Sequence, residues 1–469
     1  SMSKPSFFVV ITTIAGFSSL VFSNILPVIN FGWMMSFGIV ISLITTFMIF
    51  PIVVRLFDKK EVLASNNKTP FTSKVAHVAY NYKKTILGIT ILVALFSATG
   101  ATKLRVENSF IDYFKQETQI YQGMALIDQK LGGTTPLDIV LIFKQNSDEV
   151  KSVKVVQEKT DSELDEFADE FAQKEEDKEQ YWFTQAKMQK IKQVHDYLDS
   201  YEAVGKVLSL ATVGEVLKVL NDGKEADSLT LALLYKELPE KYRKIVLSPY
   251  IDIEKNQVRI STRIIDSMPN LQRDELIKKI DADLNDMLEG DYAKHRISNL
   301  LVMYNNMLQS LFDSQIKTIG IVVLILFLMF LALFKSLKIA VIAMIANTVP
   351  VSVIFGFMGW MDIPLDMMTI TIAAISIGIA VDDTIHYIYR YSLEYKNSGD
   401  KKASMFNSHA SIGTAMFYTS TIIMVGFSIL VLSNFLPTIY FGLLTMIAMF
   451  MAIVADLLLL PVLLLIFGI

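Results

Sequence analysis

Apolar residues run on for membrane-spanning length eight times along the chain, at about 6–24, 30–54, 85–102, 315–334, 338–358, 366–389, 410–432 and 437–467. A helix needs about 20 such residues to cross the hydrocarbon core of a bilayer, so the pattern predicts about eight transmembrane helices. Between 103 and 314 the pattern changes. Leu137–Phe143 is an apolar strand-like run, Gln257–Ile264 largely alternates polar and apolar, and Ile297–Tyr304 is another short apolar segment. Helical periodicity fills Thr118–Lys130, Ala186–Leu198, Gly214–Leu220 and Leu271–Leu288. Strands interleaved with helices predict an α+β block of two small sandwiches, sheets with helices on one face. Within it, Asp161–Glu179 is nearly all charge with spaced Leu164, Phe167 and Phe171, which predicts a solvated, protruding helix.

Composition supports an integral membrane protein: 52% of the 469 residues are hydrophobic. The net charge of −4 hides an uneven distribution. Residues 101–314 hold 28 Lys+Arg against 38 Asp+Glu, or −10, leaving 15 against 9, or +6, elsewhere. An acidic soluble block set in a basic-looped membrane frame argues against nucleic acid as a partner. There is no cysteine, which removes disulfides and thiolate metal sites, and nothing in the pattern calls for a cofactor or a metal. The short loops carry the positive charge: Arg55, Lys59, Lys60, Lys68, Lys74, Lys83 and Lys84 in 55–84, Lys335 and Lys338 in the next, and Arg390, Lys396, Lys401 and Lys402 in 390–402. By the positive-inside rule these loops and both termini are cytoplasmic, and the block 103–314 lies outside.

The first apolar run resembles a signal peptide, but a spacing of 410 residues argues for a retained helix. That offset lays Gly16-Phe17-Ser18 on Gly426-Phe427-Ser428, Ser23-Asn24-Ile25-Leu26-Pro27 on Ser433-Asn434-Phe435-Leu436-Pro437, Phe31-Gly32 on Phe441-Gly442, and Pro51 on Pro461. The first hairpin therefore reads as a copy of the last, and internal repeats of this kind build many transporters. The expected organisation is a transmembrane hairpin at 1–57, a cytoplasmic linker at 58–84, a single span at 85–102, an outside domain at 103–314 and a five-helix membrane domain at 315–469.

Candidate chemistry centres on Ile377-Gly378-Ile379-Ala380-Val381-Asp382-Asp383-Thr384-Ile385-His386-Tyr387, inside a span. A charged side chain at the bilayer centre costs at least ~2.5–3.5 kcal/mol, so an intramembrane acid marks a functional candidate. His386 is i,i+4 from Asp382 and i,i+3 from Asp383, within helical reach of both. Thr369, Ser376, Asp383 and Arg390 lie seven apart and form one polar stripe. A purely structural acid pair would be neutralised by Arg390 or held protonated by hydrogen bonds. Burial disfavours the charged form of a carboxyl, which suits reversible proton uptake, and this favours the functional reading. For His386, proton relay and helix-end packing both stand. On the next span Thr414, Tyr418, Thr421 and Ser428 follow helical spacing, so these hydroxyls either bond the carboxylates or bond back to their own helix. Asp456, opposite Thr46 in the repeat, has no charged neighbour and reads as a near-interface or locally bonded residue. Asn347 and Pro350 are expected to bend their helix.

The motif Gly378-Ile379-Ala380-Val381-Asp382-Asp383-Thr384-Ile385-His386 resembles the fourth- or tenth-helix motif of the resistance-nodulation-division (RND) superfamily, especially its hydrophobe/amphiphile exporters of the MMPL and Patched-like branch. Asn108-Ser109-Phe110-Ile111-Asp112-Tyr113-Phe114, Leu131-Gly132-Gly133-Thr134-Thr135-Pro136-Leu137 and Tyr304-Asn305-Asn306-Met307 leading into Ser314-Gln315 add to it, and the likeness covers essentially the whole chain. The resemblance implies an α-helical integral membrane bundle with one α+β periplasmic porter domain of ferredoxin-like sandwiches, in a bacterial inner membrane. It also implies that the chain holds the last two spans of one family repeat and all of the next, with a missing first half or a second copy as partner. The implied activity is export of hydrophobic or amphiphilic molecules, lipids included and drugs among the candidates, driven by the proton-motive force, in contact with membrane lipids and with periplasmic or outer-membrane accessory proteins. Asp382 and Asp383 would be the proton-coupling carboxylates, with His386, Thr414, Tyr418 and Thr421 as the relay around them. A non-pumping sterol or lipid sensor and a protein-export auxiliary of the same fold are the alternatives. An intramembrane aspartyl protease fits less well, because Asp382 and Asp383 point ~100° apart on one helix and do not face each other.

Overall fold

A computed structural model describes residues 3–23, 25–57, 70–105, 109–144, 182–220, 238–269, 271–288 and 293–468. In chain order the helices are α1 Ser3–Ser18, α2 Leu26–Phe57, α3 Phe71–Asn81, α4 Lys83–Ala101, α5 Gln119–Lys130, α6 Gln185–Asp199, α7 Leu210–Leu220, α8 Glu240–Val246 and α9 Arg273–Met287. They continue with α10 Leu300–Phe334, α11 Leu337–Trp360, α12 Met367–Ser398, α13 Lys401–Ser408, α14 Thr414–Ser428, α15 Leu436–Val454 and α16 Leu460–Phe467. The strands are β1 Thr135–Phe143, β2 Val204–Leu208, β3 Ile251–Asp252, β4 Gln257–Ile264 and β5 Ala293–Ser298. The described residues form two compact units, one of residues 109–112 and 116–306 and one of the remainder. The charged run Asp161–Glu179, expected as a protruding helix, lies outside the described residues.

In the first unit the strands pair antiparallel in the order β2-β4-β1-β5, with β3 added to β4. Among the described residues the order along the chain is β1, α6, β2, α7, α8, β3, β4, α9 and β5, and alternating burial marks the covered face of the sheet. Leu137, Ile139, Leu141 and Phe143 of β1 and Val258, Ile260 and Ile264 of β4 are buried in one cluster with Ile191, Val194 and Leu198 of α6 and Ile280 and Leu284 of α9. Among the described residues this is one sheet. The segment Ile297–Tyr304 is divided between two elements, because β5 runs to Ser298 and α10 begins at Leu300.

Three of the family-like motifs hold this unit together. Asp128 is fully buried and accepts from the backbone of Thr134 (2.8 Å), Asp266 (3.0 Å) and Ser267 (2.8 Å) and from the Thr134 hydroxyl (2.7 Å). That staple fastens the turn at Gly132 and Gly133, whose φ values of +81° and +99° suit glycine. Asp266 pairs with Arg273, both buried, and its second oxygen accepts from the Ser109 hydroxyl (2.6 Å) and the Phe110 amide (3.0 Å). Asn305 donates to Asp274 at 3.1 Å.

The second unit is helical. Seven of its helical stretches are long and apolar enough to cross a membrane, and Phe7–Phe22 is a shorter apolar helix. Matching contacts recur 410 residues apart. Turns of 3-10 helix span Ser19–Phe22 and Ile429–Leu432, Ser23 and Ser433 each donate a backbone bond to the residue three before (3.1 Å), and each accepts from the amide two ahead (3.3 and 3.1 Å). The ring pairs Phe17–Phe31 and Phe427–Phe441 stand 6.2 and 5.9 Å apart at 65° and 60°. A Cβ on Gly32 would lie 2.7 Å from the Phe17 carbonyl, and one on Gly442 would lie 2.7 Å from that of Phe427. The two hairpins differ in their second helices. α2 stays α-helical past Pro51, whereas a π turn, Ala455–Leu459, precedes Pro461.

Candidate functional site in the membrane helices

Helix α12 begins with a capping box: Asp366 accepts from the Met368 and Thr369 amides at 2.8 and 2.7 Å, and Thr369 accepts from the Asp366 amide at 2.8 Å. Eleven residues into the helix, Gly378 meets Gly16 of α1 so closely that a Cβ on Gly16 would lie 3.0 Å from the Gly378 Cα. Small residues at a crossing let membrane helices approach backbone to backbone. One turn along α12 from that crossing comes Asp382, and one turn back along α1 comes Thr13, so the two helices run antiparallel. The Thr13 hydroxyl is 3.1 Å from Asp382 Oδ1 and 2.8 Å from the Val9 carbonyl.

Successive side chains on a helix turn by about 100°, and Asp382, Asp383 and Thr384 accordingly reach three different elements. Asp382 meets Thr13 of α1. Asp383 Oδ2 accepts from the Ser420 hydroxyl of α14 at 3.0 Å. The Thr384 hydroxyl donates to Asp456 Oδ1 of the π turn at 2.6 Å and accepts from Asn347 Nδ2 of α11 at 3.0 Å. Both carboxylates of the pair are half-buried, and Thr384 and Asp456 are buried. Among the described residues no cation pairs with any of the three acids. Arg390 instead pairs with Glu394 at 2.6 Å. The arrangement supplies each acid with a hydroxyl, and a hydroxyl can donate to a carboxylate or accept from a carboxylic acid. The Thr13 hydroxyl has both partners that such an exchange needs, since its single proton can go to Asp382 when that group is charged or to the Val9 carbonyl when Asp382 donates.

Residues 239–467 match the AcrB/AcrD/AcrF family. The fold is similar to the hedgehog release protein Disp from the water bear Hypsibius dujardini, with a TM-score of 0.59 at 12% identity, covering 98% of this chain and 58% of that one. Over residues 239–467, just under half of its length, the chain is similar to RND-type proteins. A heavy metal efflux pump shares the fold at a TM-score of 0.53 and 9% identity, with the same coverage of 98% and 58%. A curated protein of Methanocaldococcus jannaschii, named only as a membrane protein, is 21% identical over 370 residues, 77% of this chain and 84% of its own length. The chain spans 58% of the length of these two solved RND-type structures. The chain is a multi-pass membrane protein.

The structure brings together only part of the relay read from the RND-like motif. His386 is half-buried and makes no hydrogen bond to a described residue. Thr414 meets the Thr72 hydroxyl of α3 at 2.9 Å, Tyr418 is 63% exposed, and Thr421 donates back to the Phe417 carbonyl at 2.6 Å. None of the three bonds a carboxylate. The buried positions of α14 are Met416 and Ser420, and Ser420 lies roughly 160° around the helix from Tyr418. The hydroxyls that do reach the acids, Thr13, Ser420 and Thr384, lie outside the expected stripe. One sequence cue was available: Thr13 precedes Gly16 by one turn just as Gly378 precedes Asp382.

Proposed function

We propose that this RND-type chain is the proton-coupling part of an exporter of hydrophobic or amphiphilic molecules, lipids included, driven by the proton-motive force. The observation that carries this reading is the Asp382–Asp383 pair, placed in a spanning helix with one hydroxyl per carboxylate and no paired cation among the described residues. Such a site serves both protonation states without rearranging the backbone. The driving force has the right size, since one charge crossing 100 mV is worth about 2.3 kcal/mol, enough to bias a two-state conformational equilibrium.

The proposal includes eight spans, with Phe7–Phe22 as the first, and cytoplasmic basic loops. It takes the sheet-bearing unit as a ferredoxin-like porter domain outside a bacterial inner membrane. The matching turns, ring pairs and glycine contacts 410 residues apart support the reading of the two hairpins as copies of one structural repeat. Membrane lipids, a partner half or second copy, and periplasmic accessory proteins complete the assembly. Both solved relatives above are named for moving cargo out, as release of hedgehog or efflux of heavy metal, which supports export over sensing. The test is transport by the assembled protein in proteoliposomes loaded with a fluorescent amphiphile. Extrusion that follows an imposed pH gradient and stops when a protonophore collapses it is the expected result; extrusion indifferent to the gradient would reject the reading.

A further inference from the structure

Asp456 is the least expected member of this cluster. It is 2% exposed, and its hydroxyl donor comes from a different helix. The donor, Thr384, is itself fully buried and receives the Asn347 amide, which also bonds its own Ala343 carbonyl at 2.8 Å. The other atom of that amide, Asn347 Oδ1, is buried with no hydrogen-bond partner. A buried acceptor without a donor is costly.

The backbone around Asp456 is specialised as well. Pro461 has no N–H, so the Leu457 carbonyl lacks the donor an α-helix would supply. His409 fills the vacancy: its Nε2 is 2.9 Å from the Leu457 carbonyl, while its Nδ1 is 2.9 Å from the Tyr387 hydroxyl and 3.0 Å from the Met405 carbonyl. Each ring nitrogen thus faces a carbonyl, the tautomer decides which of the two receives the ring proton, and the Tyr387 hydroxyl is the further partner of Nδ1. His409 also opens a π turn of its own, His409–Gly413. π turns inside α-helices recur at functional sites. The proline alone does not dictate this one, because α2 passes Pro51 as continuous α-helix and presents Thr46, the counterpart of Asp456, to the exterior. The last helix departs from the first hairpin where it acquires a buried acid and a histidine brace.

We propose that Asp456 is a further proton-binding carboxyl of the transport machinery, with Thr384 and Asn347 as its polar partners and His409 as the positioning residue that holds its turn. The proposal rests on the reading of α12 as the proton-coupling helix and extends it, because Thr384 follows Asp383 directly. Binding adds one proton from water to an Asp456 oxygen. Thr384 then turns from donor to acceptor, and α12 feels the change in the same stretch that carries Asp382 and Asp383. The ionisable groups that interact with Asp456 are Asp383 and Tyr387 of α12, with His409 on the neighbouring Leu457 carbonyl, whereas Asp382 faces α1. Lys74 and His77 of α3, Lys84 of α4 and Lys338 of α11 are exposed, Lys83 of α4 stacks 4.0 Å from the half-buried Tyr80, and Tyr440 of α15 is half-buried.

Infrared difference spectroscopy on the purified full chain reads this site without any transport assay. A carboxylic-acid C=O band should appear as the pH is lowered from mildly alkaline to mildly acidic, vanish in Asp456→Asn, shift in Thr384→Val and return in Thr384→Ser. The band should persist in the Asp382→Asn/Asp383→Asn variant, so failure of that pair as a proton site would leave this test intact. His409→Phe should alter the band's pH profile, whereas a brace with no bearing on the acid would leave it unmoved. A band that never changes with pH, or one that survives Asp456→Asn with the chain folded, overturns the proposal. Should Asp456→Asn fail to fold, the Thr384 variants decide: a band unaffected by loss of the hydroxyl rejects the site.

Discussion

Thr13 and Asp382 lie 369 positions apart in the chain, yet the threonine hydroxyl stands 3.1 Å from the carboxylate. The contact ties the first described helix of the chain to the acid motif. A hydrogen bond to a charged group is worth about 1.5–3 kcal/mol. Thr13→Val is therefore expected to lower gradient-driven transport by roughly tenfold or more, and Thr13→Ser to retain it, as measured by initial extrusion rates in proteoliposomes. Equal rates in both variants would remove Thr13 from the site.

The helix crossing that delivers Thr13 is asymmetric. A Cβ on Gly16 would lie 3.0 Å from the Gly378 Cα, whereas one on Gly378 would find the Gly16 Cα at 3.8 Å. Gly16→Ala should force the helices apart at a cost of about 1–3 kcal/mol, typical of overpacking. Gly378→Ala should be close to neutral or gain from better helix propensity. Thermal unfolding of the two variants in detergent checks the order, and a reversed ranking would contradict the crossing described.

Spanning helices are legible in the sequence because bilayer thickness demands long apolar runs, and the acid pair is legible because charge there is expensive. The strand β4 shows its period-two burial directly in the alternation of Gln257–Ile264, and β1 is legible as the apolar run Leu137–Phe143. Partners are not legible in the same way. Helical spacing picks out the stripe Thr414, Tyr418 and Thr421, but it does not say which face of α14 is covered, and the covered face carries Met416 and Ser420. Asp456 looks isolated in sequence because its donor Thr384 lies 72 positions away. Its π turn depends on a histidine 48 positions before Leu457, a relationship that no local window contains.

In the sheet-bearing unit, Asp266 and Arg273 form a buried pair with side chains 3% and 5% exposed. Removing one member strands a charge, at about 3–5 kcal/mol. Arg273→Met should lower the unit's stability by that order and expose it to protease in the full chain. Protease resistance equal to the parent would mean that the pair is dispensable.

Asp128 gives this unit a predictable acid response. Burial pushes its carboxyl up, but bonds from Thr134, Ser267 and Asp266 more than offset this and hold it below the ordinary carboxylate range. A carboxyl lowered on folding contributes stability above its unfolded value of about 3.9 and loses it as the pH falls through the folded value. Asp128→Asn should cost about 1–3 kcal/mol at neutral pH and flatten the acid limb of stability. Hydrogen exchange at the Thr134 amide, followed against pH in both proteins, measures the effect; parallel curves would contradict it.

The most direct test of proton coupling at α12 is pH-gradient-driven export by Asp382→Asn, Asp383→Asn and the double variant, each in the assembled transporter. The amide mimics the protonated acid in shape, so expression and folding should be largely intact. Each single change is expected to abolish export driven by the gradient, because a site fixed in its proton-bound form cannot cycle. A double variant that still pumps against a gradient would show that the pair is structural and that the coupling proton binds elsewhere.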